Sequence, residues 1–183
     1  MIIGIVGALG AGKGTVVAYL QTKGFRHYSA SGYLKEVLIS RGIEPHRDSY
    51  SALATEIRTA DEAGLARILV EKYHADGGGK AIIEALHDVG EALYIKEVGG
   101  ILLGLDADMH VRYQRAIARG SEKDGVTFEE FKSHINREEH GGGLHNIRAA
   151  LLHADYTIIN DSTREELYAQ IEDVFAEIIK KTQ

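Results

Sequence analysis

The chain has no cysteine and a single proline in 183 residues. Without cysteine there is no disulfide framework, no thiolate nucleophile and no cysteine-held metal. One proline leaves few rigid breaks between elements. Long apolar runs are also missing. The opening Met1-Ile2-Ile3-Gly4-Ile5-Val6-Gly7 is too short, and too soon interrupted by glycine, for a signal peptide or a membrane span. No other targeting segment, internal repeat or low-complexity tract is present. A basic run is lacking as well, and the net charge is −6. Duplex nucleic acid needs clustered Lys and Arg, so it is not the expected partner. A nucleotide needs only a few local cations. These absences suit a cytoplasmic, single-domain protein acting on small molecules, as a monomer or homodimer, with no membrane partner.

Glycine is plentiful, with 21 residues that cluster in turns, notably at 7–14, 77–79 and 141–143. The first cluster follows Ile2 to Val6, a β-branched apolar run that reads as a buried strand. It precedes residues 14–23, where Val16, Val17 and Leu20 recur at helical spacing and Gly24 ends the run. Further strands are expected at Phe25 to Ser29, Ala81 to Glu84, Gly100 to Leu105 and Tyr156 to Ile159. Helices are expected at 33–39, as two stretches within 49–73, at 108–119, at 127–139 opened by the box Thr127-x-x-Glu130, and after Ser162 with Glu165 as its box partner. Apolar strands alternating with helices indicate a parallel sheet covered on both faces, a three-layer α/β sandwich with five strands. Ligands in such sheets sit beyond the carboxyl ends of the strands. The first glycine turn and Glu84 both fall at that edge.

Gly7-Ala8-Leu9-Gly10-Ala11-Gly12-Lys13-Gly14-Thr15 stands between a strand and a helix, the context a phosphate-binding loop requires. Glycines let consecutive N–H groups turn inward, and the helix adds the positive end of its dipole. Gly7, Gly10, Ala11, Gly12, Lys13, Gly14 and Thr15 are therefore the expected nucleotide cradle, with Lys13 reaching the terminal phosphates. The strict pattern has Ser or Thr directly after the lysine. Here Gly14 takes that place and Thr15, the expected metal-side hydroxyl, comes one later.

The Gly-Lys-Gly-Thr ending resembles the P-loop nucleoside monophosphate kinases, adenylate kinase above all. The resemblance implies a helical acceptor-binding insert over residues 33–74 and a lid over 120–145. The segment Tyr28-Ser29-Ala30-Ser31-Gly32-Tyr33-Leu34-Lys35 looks like the one that opens the family's monophosphate-binding helices. Lys35 stands where an arginine closes it, and Gly32 stands where an aspartate is usual. Thr55-Glu56-Ile57-Arg58 matches a second acceptor-phosphate place, the alternative for Arg58 being a solvated helix face. Glu84 is placed like the acid that orients magnesium. His87 and Asp88, which follow it, either face the acceptor or are a loop histidine and a helix cap.

By the same resemblance Arg115 stacks on the adenine base and Arg119, four residues on and on the same face, reaches the phosphates. Arg112 lies on another side and reads as a solvated charge. Arg137 either swings onto the transferring phosphate or is a charged helix end. Arg148 is a weaker candidate. His134, His140 and His145 show no pair at helical i, i+4 spacing joined to a carboxylate, and read as surface residues. Ala154 to Asn160 is similar to the last strand of dephospho-coenzyme A kinases, a resemblance that implies that 160–163 lies beside the donor base. The Asn-Lys-x-Asp guanine pattern is absent, which favours ATP. The reading is an ATP- and Mg-dependent kinase of nucleoside or deoxynucleoside monophosphates, with Lys13, Arg119 and Arg137 catalytic. The alternatives are transfer to a hydroxyl, as in dephospho-coenzyme A kinase, and a regulatory nucleotide-binding module with slow hydrolysis.

Overall fold

The computed structural model describes residues 1–119, 127–140 and 146–182. The chain runs β1 Ile2–Gly7, α1 Lys13–Thr22, β2 Arg26–Ser29, α2 Ala30–Ser40, α3 Arg47–Ala60, α4 Gly64–Ala75 and β3 Ala81–Leu86. It continues with α5 Val89–Glu97, β4 Ile101–Asp106, α6 Met109–Arg119, α7 Phe128–His140, α8 Ile147–Leu151, β5 Tyr156–Ile159 and α9 Arg164–Thr182. All strand pairings are parallel, in the order β2-β3-β1-β4-β5.

β1 is buried at every position because it lies between β3 and β4 and is covered on both faces. Its side chains divide by the period of two. Ile3 and Ile5 join Ile82, Leu103, Leu105 and Ile158 under Val16, Leu20, Leu167 and Ile171 of α1 and α9. Val6, Ile83 and Leu102 face the other way, against Leu34, Leu53, Leu69 and Ile95 of α2 to α5. Two cores back to back on one sheet make the three-layer sandwich. A fully buried Leu or Ile stabilises it by roughly 1.5–3 kcal/mol. A smaller cluster of Ala116, Phe131 and Ile135 joins α6 to α7.

One irregularity bears on function. β1 pairs Ile5 with Glu84 and then Val6 with Leu86, so β3 carries one extra residue just after Glu84. Such a bulge bends the strand and re-aims the side chains beside it.

The helix ends correct some sequence expectations and meet others. Thr127 and Glu130 form their box, with Thr127 N–H donating to Glu130 Oε2 at 2.8 Å and Glu130 N–H donating to Thr127 Oγ1 at 3.3 Å. α9 is capped by Thr163, not Ser162, since Glu166 N–H donates to Thr163 Oγ1 at 3.2 Å. α2 begins three residues before the expected Tyr33, because Ser29 Oγ accepts from Gly32 N–H and caps it. α5 and α8 were not expected. α5 buries Glu91 along with Ala92 and Ile95, which breaks the apolar stripe that would have revealed it. α8 has five residues, too few for a period to show.

Candidate active site

Gly12 precedes α1 in the left-handed region, at φ 99°, and no side chain caps the helix. The first N–H groups of α1 therefore face the space above the sheet edge, where an anion is favoured. Lys13 folds back over the loop, its Nζ donating to Gly7 O at 2.7 Å and Ala8 O at 3.1 Å. The loop is braced from two sides. Asn160, at the end of β5, donates from Nδ2 to Ala11 O at 2.9 Å. Arg112, on α6, donates from Nε to Leu9 O at 2.7 Å.

Arg112 is thus not the solvated charge that its helix position suggested. It is fully buried, 3.8 Å from Asp106, because the first turn of α6 packs directly on the loop. A Cβ on Gly10 would meet Arg112 O at 2.9 Å. Arg148 reaches the same Asp106 with a short charge-assisted bond.

A cleft of about 680 Å³ opens over this loop, lined by Gly10, Gly12, Lys13, Gly14, Thr15, Glu84 and Arg115 among the expected residues. Leu9, Ala118, Asn160, Ser162, Arg164 and Leu167 complete it. Asn160 and Ser162 come from the stretch expected beside the base. The braces Asn160–Ala11 and Arg112–Leu9 were not legible, since neither residue shares a local pattern with the loop it holds. Gly7 and Ala11 lie beneath the loop, where a Cβ on Gly7 would meet Leu105 O at 2.6 Å.

Arg115 donates from Nη1 to Asn160 O at 2.8 Å and from Nη2 to Asn160 Oδ1 at 3.3 Å. These bonds use the edge of the guanidinium.

Glu84 is mostly buried, and its Oε2 lies 3.2 Å from His27 Nε2. Burial works to raise its carboxyl. The His27 hydrogen bond, the Lys13 ammonium and a Ser29 hydrogen bond outweigh burial, so the net shift is below the ordinary range. Thr15 and Glu84 offer hard oxygen donors in one cleft with the phosphate loop. That set suits Mg²⁺, which takes one or two protein oxygens and fills its remaining places with phosphate and water. Among the described residues no group of three or more His, Asp or Glu forms a self-sufficient metal cage.

The expected acceptor residues are not brought together. Lys35 is exposed on α2. Arg58 is not on a solvated helix face. It is 2% exposed, with Nε donating to Glu91 Oε1 at 2.8 Å, and Glu91 also accepts from His87 N–H. Burial pushes the Glu91 carboxyl up and the Arg58 guanidinium opposes it. The pair ties α3 to α5, which corrects the expectation of a phosphate-gripping Arg58. His87 is half-buried and Asp88 caps α5, its Oδ1 accepting from Gly90 N–H at 3.0 Å. The side chains of Arg119, Arg137, His134 and His140 lie outside the described residues, as do His145 and segments 120–126 and 141–145 of the expected lid.

A second cleft, of about 630 Å³, follows the free edge of β2 and includes Arg26, His27, Ser29, Gly32, Tyr33 and Lys72. His27 of this cleft lies 3.2 Å from Glu84 of the first. Among the described residues no helix is long and apolar enough to cross a membrane.

Residues 3–140 match the family described as AAA domain. A UPF0200 protein of Thermococcus kodakarensis is 26% identical over 99% of this chain and 100% of its own length. One from Sulfurisphaera tokodaii is 31% identical over 97% of both chains. The fold is shared with a Thermus thermophilus protein, at a TM-score of 0.60 and 23% identity, covering 97% of both chains. It is also shared with shikimate kinase of Bacteroides thetaiotaomicron, at a TM-score of 0.60 and 14% identity, covering 96% of this chain and 98% of that one. A glycine loop braced from β5 and α6, on a sheet of this order, is the P-loop arrangement, and the chain belongs to the AAA-domain P-loop family and, by its full-length similarity, to the UPF0200 proteins.

Proposed function

We propose that the protein is an ATP- and Mg-dependent phosphotransferase that moves the γ-phosphate to a small acceptor, in the first instance a nucleoside or deoxynucleoside monophosphate. The convergence of Lys13, Thr15, Glu84 and Arg115 on one cleft at the carboxyl edge of the sheet carries the reading. The loop N–H groups cradle the phosphates, Lys13 moves from its loop carbonyls onto the terminal phosphates, and Arg115 offers a face to the adenine. Thr15 and Glu84 would hold Mg²⁺, which would supply screening of the phosphate charge that repels an incoming nucleophile. An acceptor oxygen attacks the γ-phosphorus as the bond to the β–γ bridging oxygen breaks, and ADP leaves. Arg119 and Arg137 are proposed to stabilise the transferring charge from the lid.

The helical insert of α2 to α4 and the second cleft support a bound acceptor next to Glu84. With Arg58 paired to Glu91, the cations that line this second cleft are Arg26 and Lys72. The hydroxyl-acceptor alternative is favoured by the fold itself, since neighbours of the same shape include shikimate kinases, one of them in complex with shikimate. The scaffold thus also serves acceptors other than nucleotides.

The test is ADP release from ATP and Mg²⁺ across nucleoside and deoxynucleoside monophosphates and dephospho-coenzyme A, with Lys13→Ala as control. One monophosphate well above the water-only rate, abolished in Lys13→Ala, upholds the proposal and names the acceptor. Response to dephospho-coenzyme A alone moves the acceptor to a hydroxyl. No acceptor above water gives the regulatory module the lead.

A further inference from the structure

We infer that His27 is a positioning residue for the metal-orienting carboxylate of Glu84. The inference rests on the reading of Glu84 as that carboxylate and names what holds it in place. Parallel register pairs Ser29 with Glu84 and His27 with Ile82. His27, Ser29 and Glu84 therefore project on one face of the sheet, since alternate residues of a strand share a face. On that face His27 Nε2 lies 3.2 Å from Glu84 Oε2, the two side chains 27% and 17% exposed. Ser29, paired with Glu84 in the register, also works to hold its carboxyl down, and its Oγ caps α2.

The need for such support comes from β3 itself. The extra residue after Glu84 interrupts its ladder to β1. A carboxylate at an irregular strand end keeps its rotamer freedom unless other side chains restrict it. An ionised carboxylate only accepts hydrogen bonds, so His27 donates here from Nε2. With Oε2 held from β2, the carboxylate presents a set orientation to the cleft that it shares with Thr15 and Lys13. Partners of this kind fix ligand geometry, and their loss weakens metal affinity by about 10–100-fold. His27 also lines the second cleft, so the same side chain separates the phosphate-loop cleft from the proposed acceptor cleft.

The experiment measures Mg²⁺ dependence separately from nucleotide affinity. ATP binding is titrated calorimetrically in EDTA and then over a series of Mg²⁺ concentrations, for wild type, His27→Ala, His27→Gln and Glu84→Gln, with melting curves confirming that each variant folds. His27→Ala should raise the Mg²⁺ midpoint by about tenfold or more while ATP affinity in EDTA stays near wild type. His27→Gln, which keeps a side-chain donor, should recover much of the loss. A wild-type midpoint in His27→Ala together with a raised midpoint in Glu84→Gln overturns the role of His27 and leaves Glu84 as the metal acid. A wild-type midpoint in Glu84→Gln removes the metal reading, and the inference with it. An equal loss of ATP affinity in EDTA for His27→Ala shows a general structural role and also overturns the inference.

Discussion

Gly12 and Asn160 compete for the same space: a Cβ on Gly12 would lie 2.3 Å from Asn160 Nδ2, which is occupied in bonding Ala11 O. The strand that ends the sheet thereby dictates the residue that starts the phosphate-binding helix.

Gly12→Ala should therefore fail twice, through the clash and through its φ of 99°. Left-handed backbone at a non-glycine residue costs about 1–3 kcal/mol. Asn160→Ala removes the clash partner and two side-chain hydrogen bonds, to Ala11 O and from Arg115, each worth about 1 kcal/mol. Thermal melts with and without Mg·ATP should show lower stability and weaker ATP binding in both variants. A double variant less impaired than the sum of the singles would show the coupling; strict additivity would refute it.

Lys13→Ala should leave the fold nearly intact, because its ammonium bonds the loop carbonyls of Gly7 and Ala8 and its side chain belongs to neither hydrophobic core. Its cost belongs in the transfer step, as a fall of about 10²–10³ in rate, the range for removal of one preorganised charge-stabilising donor. Single-turnover ADP formation reads this directly. Unchanged turnover in a folded Lys13→Ala would mean that the loop is not the phosphate cradle.

Arg58→Ala should destabilise the protein by about 3–5 kcal/mol, since it strands the buried Glu91 charge. Urea unfolding gives the number. An acceptor-gripping arginine would behave in the opposite way, with stability unchanged and the acceptor KM raised.

Acid should act on Glu84 in a defined direction. Its folded pKa lies below its ordinary value of 4.5, despite burial, because of His27, Lys13 and Ser29. A depressed carboxyl stabilises the fold above the unfolded value and loses that contribution as pH falls through the folded value. Wild type should thus lose stability more steeply than Glu84→Gln below about pH 4.5. Identical acid limbs in denaturation curves would show that Glu84 gains nothing on folding.

Much of this was legible from local pattern. The inner strands β1, β3 and β4 announced themselves as apolar runs because a parallel sheet covered on both faces leaves them no room for polar alternation. The glycine loop was legible because its backbone conformations and close approaches exclude most other residues. Glu84 stood out as an acid terminating an apolar strand. Arg58 was misread for the reverse reason. A helix position says which residues share a face, but only the fold says what covers that face, and here it is Glu91 of α5. Arg112 followed the same course, with the loop carbonyl of Leu9 as its partner from 103 residues away.

By itself, then, the sequence determined the succession of the five strands and most of the helices, the phosphate loop and the acid beside it, because each is a short-range consequence of residue type and spacing. Tertiary structure alone decided which charges are solvent-facing, which brace the loop, and that His27 from the edge strand holds the carboxylate of its neighbour. Those outcomes depend on pairing across tens of residues, where the bulge in β3, the approach of β5 and the burial of α5 set distances that no local period encodes.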